Sequence, residues 1–231
     1  MKRDLGFDNI KGFLILLVVF GHFLWGYKED PFVGMLVRII YLFHMPAFIF
    51  VSGYFSRDSF SGVGLCKLLI SYVLFNSAMM AYCSVFRGQD LVLLTPYYSY
   101  WYLLALIWWR ISLPFVAQFR WAGLAASFLL AIAVGFSDEI NNRFALARTV
   151  AFYPFFLSGY LINAEKVPLP RFSLRKGLSV AVVALGLSVV AIMELDIRTS
   201  DELMQSYDGS LLFALLQRMT IMGIASLFIA S

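Results

Sequence analysis

The stretch FDNIKGFLILLVVFGHF, from Phe7 to Phe23, decides the class of fold. It is an apolar run of helical length that carries Lys11 near its start and His22 near its end. The rest of the chain is built alike. Of its 231 residues 61% are hydrophobic and 14% charged, with a mean hydropathy of +0.81. A soluble domain is about half apolar and a quarter charged, so this is the composition of a membrane protein. The 17% aromatic content suits helices with Trp and Tyr at the interfaces.

A bilayer core needs about 20 mostly apolar residues per helix. Candidate spans fall at roughly 10–27, 36–56, 64–86, 98–117, 120–137, 147–163, 177–194 and 210–230. Short polar connections such as KEDP, SRDSFSG and RGQD join them, with no low-complexity tract and no internal repeat. The expectation is one integral domain over residues 1–231, an all-α polytopic transmembrane bundle of about eight spans. The N-terminus MKRDLGFDNIKG starts like a signal peptide but no small-residue cleavage site follows, so the first span reads as a retained helix.

Charge gives the orientation. Lys and Arg concentrate in cytoplasmic loops, and segment 163–176 is basic while 194–209 holds five acids against one arginine. An N-terminus in the cytoplasm follows, in a plasma or inner membrane. The net charge of +4 comes from residues at helix ends, which argues for loop retention and against nucleic acid. Cys66 and Cys83 lie toward opposite ends of one span, too far apart for a disulfide and at no metal-binding spacing; both read as core residues, and no metal is expected.

Lys11 and His22 are eleven residues apart, which at about 100° per residue returns to nearly the same helix face, with Val18 between them. The axial separation is about 16 Å, so Lys11 lies near the cytoplasmic end and His22 in the outer half. Asp8, one turn before Lys11, is placed to pair with it. His44, the other histidine of the chain, falls at similar depth on the antiparallel second helix, before Pro46, which frees a backbone carbonyl. The two histidines are thus placed to share one polar cavity. The plainer readings are a snorkelling Lys11 and a packed histidine bonded to a nearby carbonyl. An intramembrane ionisable group is nonetheless a functional hypothesis by default. A cation at the cytoplasmic mouth with a titratable base deeper on the same face suits an anionic cofactor whose reactive end reaches that base.

These residues resemble the acyltransferase 3 family of membrane O-acyltransferases. DNIKGFLILLVVFGH resembles that family's first helix, a basic residue, ten positions, then histidine. FHMPAFIFVSGYF at 43–55 is similar to its second-helix signature, SYWYLLALIWW at 99–109 to its Trp-Tyr/Phe-Leu segment, and FYPFFLSGYL at 152–161 to its Pro-Phe-Phe-x-x-Gly-Tyr stretch. The matches run in order over about the first 160 residues, and among subgroups the fucose 4-O-acetylase-like and polysaccharide-acetylating members are nearest. The resemblance implies transfer of an acyl group, usually acetyl from acetyl-CoA, to a hydroxyl of an extracytoplasmic or lipid-linked carbohydrate. It makes His22 the essential histidine and His44 the second-helix histidine. Lys11 takes the basic position associated with acyl-CoA, Lys67 the basic position of helix three, and Trp101 the aromatic position of its segment, grouped with the acyl-CoA-binding residues. The family usually has about ten spans, so a domain cut short at its C-terminus is an alternative expectation. A proline that often follows the helix-three basic residue is missing from CKLLISYVLF.

An alcohol is a poor nucleophile at neutral pH, and a buried, neutral histidine suits its activation. His22 is expected to take the hydroxyl proton, directly or through an acyl-histidine, with His44 orienting it, stabilising the oxyanion or binding the acceptor. Lys11, Lys67 and Arg57 would hold CoA phosphates at the inner face. Acyl-CoA is then a co-substrate with no resident cofactor, and the partners are the carbohydrate or polysaccharide acceptor and membrane lipid. Gly12, Gly21, Ser52 and Gly53 read as close-packing positions, and Trp101, Trp108 and Trp109 first as an interfacial belt. The competing classes are a transporter or flippase, and a truncated, non-catalytic family member.

Overall fold

A computed structural model of the chain describes residues 5–57, 61–90, 92, 95–136, 143–168, 174–194, 219–220 and 222–223. Among them it is all-helical, with no strand. The expected last span at 210–230 and the acidic loop 194–209 lie almost wholly outside the described residues. In chain order the helices are α1 (Leu5–Leu24), α2 (Pro31–Tyr54), α3 (Gly62–Arg87), α4 (Trp101–Val116), α5 (Arg120–Ala133), α6 (Leu146–Ala164) and α7 (Leu174–Glu194).

Local chemistry sets their ends. Asp30 caps α2, its carboxylate accepting from the N–H groups of Phe32 and Val33 at 3.0 Å each, and Pro31 fills the first position, where no N–H is needed. Ser61 caps α3 by accepting from Gly64 N–H at 3.3 Å. Gly88, in the left-handed region at φ 61°, ends that helix with its N–H on the Cys83 carbonyl. Three stretches, Pro31–Tyr54, Gly62–Arg87 and Tyr98–Ala133, are long and apolar enough to cross a membrane. The third is broken by a 3-10 turn at Ala117–Phe119 and by Arg120 at φ 50°, which divides it into α4 and α5 near the boundary read from the sequence. At that break Arg120 Nε donates to Glu165 Oε1 at 2.7 Å and Trp121 Nε1 to Oε2 at 2.8 Å, tying the start of α5 to the end of α6. The hydrogen bond from Arg120 holds the Glu165 carboxyl below the usual carboxylate range.

The most extensive helix pair is α2 with α6; α5 and α4 also pack on α6, α1 and α7 on α2, and α3 on α4. Glycine makes the α2–α6 approach possible. A Cβ on Gly53 would overlap the Phe156 carbonyl oxygen, and one on Gly159 the Phe50 carbonyl oxygen. Lipid tails give helices no hydrophobic reason to associate, so such backbone contact is what membrane helices use instead. Gly21 is close-packed too, its Cβ position 3.0 Å from the Tyr41 ring, whereas that of Gly12 is open, so Gly12 does not serve packing among the described residues.

The core centres on Trp109, Phe152, Phe155 and Phe156, with Leu42, Ile49 and Leu113. Trp109 stacks on Phe156 at 5.3 Å and donates its Nε1–H to the Thr149 carbonyl at 2.8 Å. Trp101 and Trp109 are therefore core residues and Trp108 alone of those three is exposed, which corrects the belt reading; once its one donor is satisfied, an indole packs in a core. Cys66 is exposed on α3 while Cys83 is buried, so only the second is a core residue. Outward, α1 presents Phe13, Leu16, Phe20 and Phe23, and α3 presents Val63, Ile70, Leu74 and Phe86. Apolar faces of this extent suit lipid rather than water.

The glycine contacts make a direct prediction. Gly159→Ala is expected to cost about 1–3 kcal/mol through overpacking, read as a lower melting temperature in detergent, while Gly12→Ala leaves it unchanged. Equal melting of the two variants would contradict the packing described.

Candidate active site

The site forms where the end of α1, the middle of α2 and the approach to α4 meet. His22 lies in the last turn of α1 and His44 inside α2. Tyr41, one turn before His44, stands between them. Its hydroxyl is 3.0 Å from His22 Nδ1, and its ring meets both imidazoles edge-on, with centroids 5.8 Å away for His22 and 4.8 Å for His44. Trp25 packs on the same ring at 5.1 Å, and Gly21 leaves room for it. His44 is 1% exposed, and its Nδ1 lies 2.7 Å from the Ile40 carbonyl. A carbonyl only accepts, so Nδ1–H is the donor and the neutral ring keeps its lone pair on Nε2. The carbonyl bond of the plainer reading is therefore present, and it coexists with a place in the site.

Ser99 completes the group. It precedes α4 in the 3-10 turn Tyr98–Tyr100, and its Oγ lies 2.9 Å from His22 Nε2. Both ring nitrogens of His22 thus have a hydroxyl partner. The turn is fastened from α3 and its exit: buried Asn76 accepts from Tyr97 N–H at 2.9 Å, Arg87 donates to Tyr98 Oη at 2.8 Å, and Tyr97 Oη donates to the Asp90 carbonyl at 2.9 Å.

These groups face a cavity of about 370 Å³, lined by Ile15 and Val18 of α1, Met45 and Phe48 of α2, Trp101 and Tyr102 of α4, and Arg148 and Phe152 of α6, besides His22, His44 and Ser99. The volume is within the range of small-molecule sites. Ser52 Oγ donates to the Phe48 carbonyl at 2.9 Å and is 2.7 Å from Tyr102 Oη, so the phenol donates to it. Trp101 stacks on Phe152 at 5.5 Å with the Arg148 guanidinium 5.2 Å over its ring.

His22, His44 and Trp101 are thus brought together, while Lys11, Lys67 and Arg57 are not among the cavity's lining residues. Lys11 shares the α1 face of Ile15, Val18 and His22, but its Nζ sits 3.6 Å over the Phe55 ring, a cation–π contact just beyond the end of α2. Arg57 follows Phe55 by two residues and is exposed, as is Lys67 on the first turns of α3. Lys11 near the start of α1, Arg57 past the end of α2 and Lys67 near the start of α3 each lie toward the helix ends away from the histidines. The Asp8 side chain, expected to pair with Lys11, lies outside the described residues. Tyr41, Ser99 and Arg148 were missed from the sequence. A signal existed for two: Tyr41 shares the His44 face of α2, and Arg148 is a charge inside an apolar span. Arg110, within α4, was missed as well; its Nε is buried with no hydrogen-bond partner among the described residues.

Comparison with known proteins identifies the family. The model of the acyltransferase 3 family, described as an acyltransferase domain, matches residues 4–231. Nodulation protein NolL of Sinorhizobium fredii (strain NBRC 101917 / NGR234) is 29% identical over 184 residues, covering 69% of this chain and 49% of NolL. NolL of Mesorhizobium japonicum (strain LMG 29417 / CECT 9101 / MAFF 303099) is 30% identical over 187 residues, covering 69% and 48% respectively. The chain spans about half the length of these curated relatives. No solved structure matches. A family match across nearly the whole chain leaves one assignment: the chain belongs to the acyltransferase 3 family.

Proposed function

We propose that this chain is a membrane O-acyltransferase that moves an acetyl or other short acyl group from acyl-CoA to a hydroxyl of an extracytoplasmic or lipid-linked carbohydrate, with His22 as the base. The observation that carries the reading is the pairing of His22 and His44 across Tyr41 in one cavity of a chain of this family. An imidazole with both nitrogens held by hydroxyls is fixed in orientation, as a general base must be. The cavity is apolar over most of its lining, as suits an acyl chain. Arg148 lends it positive charge where a tetrahedral intermediate would carry negative charge.

The donor arrives along α1. Lys11 and His22 are about 16 Å apart on one face, with Ile15 and Val18 between them facing the cavity. Lys11, Lys67 and Arg57 hold the phosphates of the nucleotide, and the pantetheine arm follows the apolar stripe until its thioester reaches His22. Trp101 then belongs with the acyl end of the donor, because it stands beside the histidines. In this reading the chain crosses an inner or plasma membrane about eight times with its N-terminus in the cytoplasm, so the donor enters from inside and the acceptor from outside.

The test is O-acetylation of surface polysaccharide, measured by NMR in a strain lacking the gene and complemented at equal membrane levels. Wild type is expected to restore the acetyl signal, and His22→Ala to lower the rate of transfer by about 10²–10⁴-fold, the usual contribution of a general base. Lys11→Ala should instead raise the KM for acyl-CoA roughly tenfold with a smaller change in kcat. Full restoration by His22→Ala would remove His22 as the base. An unchanged acetyl signal in the null strain, together with no binding of acyl-CoA, would turn the assignment toward a transporter.

A further inference from the structure

We propose that Ser99 is the nucleophile that carries the acyl group between donor and acceptor, with His22 as its base and Tyr41 as the residue that positions His22. This rests on the reading of the cavity as an acyl-transfer centre and adds a covalent step to it.

Ser99 Oγ, His22 and Tyr41 Oη form an ordered series. The serine oxygen lies 2.9 Å from Nε2 and the phenol oxygen 3.0 Å from Nδ1. With the ring proton on Nδ1, His22 donates to Tyr41 and accepts the Ser99 hydroxyl proton at Nε2. A nucleophile within reach of a base, itself oriented by a third group, is the pattern by which covalent catalysis is recognised whatever the fold. Tyr41 can orient because its ring is fixed by Trp25 and His44 and by the bare backbone of Gly21.

The backbone at Ser99 is constrained as well. Tyr98, directly before it, has φ 45°, in the left-handed region that a side chain of this size rarely adopts. Hydrogen bonds hold the turn there: Tyr97 N–H donates to Asn76 Oδ1, Arg87 donates to Tyr98 Oη, and Tyr97 Oη donates to the Asp90 carbonyl. Helix α3 thus holds the serine against the histidine. His22 and Ser99 both remain exposed on the cavity, so a substrate can reach them.

The steps balance. Ser99 Oγ attacks the thioester carbonyl carbon while its proton passes to His22 Nε2. The new O–C bond forms, the C–S bond breaks, and the departing thiolate takes the proton from the imidazolium to leave as CoA thiol. The acceptor hydroxyl then gives its proton to Nε2 as its oxygen attacks the acyl-serine carbonyl. Ser99 Oγ leaves and recovers the proton, and the ester is on the acceptor.

Such a two-stage route predicts that the purified full chain, in lipid nanodiscs with no acceptor, exchanges labelled CoA into unlabelled acetyl-CoA. Acid quenching and peptide mass spectrometry should find one acetyl group on the peptide holding Ser99. Ser99→Ala should abolish exchange and lower transfer about 10²-fold or more. Ser99→Cys, which keeps a nucleophile of similar size, should retain exchange and trap a thioester that hydroxylamine cleaves. Tyr41→Phe should lower kcat at unchanged KM and shift the acidic limb of the pH–rate profile. A wild-type preparation that transfers acetyl but shows no exchange, or Ser99→Ala that exchanges and transfers at the wild-type rate, would overturn the proposal. If Ser99→Ala is active while His22→Ala is dead, the base survives and the nucleophile falls; if both are active, the reading of the cavity falls too.

Discussion

Everything in this structure depends on the contact between α2 and α6, where Gly53 lies against the Phe156 carbonyl and Gly159 against the Phe50 carbonyl. Within a bilayer no gain comes from moving apolar side chains off lipid and onto one another, so association needs close backbone approach and well-formed packing. The two glycines supply the approach. The aromatic layer of α6, with Trp109 stacked on Phe156 and Trp101 on Phe152, supplies the packing. The consequence for the site is direct: α2 carries Tyr41 and His44, α6 carries Arg148 and Phe152, and the cavity lies between them.

Polar groups in such a fold are costly unless partnered, and the partners here form a chain of support. His44 uses one nitrogen on the Ile40 carbonyl, and Ser52 joins Tyr102 to the Phe48 carbonyl. Asn76, buried in α3, is spent on the backbone of Tyr97 and so on the turn that presents Ser99. Asn76 thereby serves His22 through the turn that faces it, whereas buried Ser127 and Ser188 bond only carbonyls of their own helices. At the other end of the helices the basic residues are arranged differently. Lys11 rests over Phe55, and Lys67 and Arg57 are exposed, as suits groups that meet a soluble anion.

Much of this was legible in the sequence, and the part that was not has a physical reason. Hydropathy located α1 to α7, including the break between α4 and α5, because apolar run length and short polar connections are local properties. Of the eight expected spans, three stretches of the described residues have the length and apolarity to cross a membrane. The 3.6-residue period put Lys11, Val18 and His22 on one face, and antiparallel pairing placed His44 at the depth of His22. Ser99 was not legible. Its approach to His22 depends on a turn held by Asn76 and Arg87, residues of another helix with no local mark of that duty. The tryptophans misled for a related reason, since composition alone cannot say whether an indole faces the interface or a core. The two cysteines and the glycines Gly12 and Gly21 were indistinguishable until the neighbours of each were known.

The most direct test of the central claim is to find where the acyl end of the donor lies. A short-chain acyl-CoA with a diazirine on its acyl group would be photolysed on the purified protein in nanodiscs and its adducts mapped by mass spectrometry. The account predicts labelling confined to the cavity walls, on the peptides holding His22, Met45 and Phe48, and Ser99 to Tyr102, and competed away by acetyl-CoA. Labelling confined to the Lys11 end of the bundle or to the exposed face of α3, with none at the histidines, would contradict it.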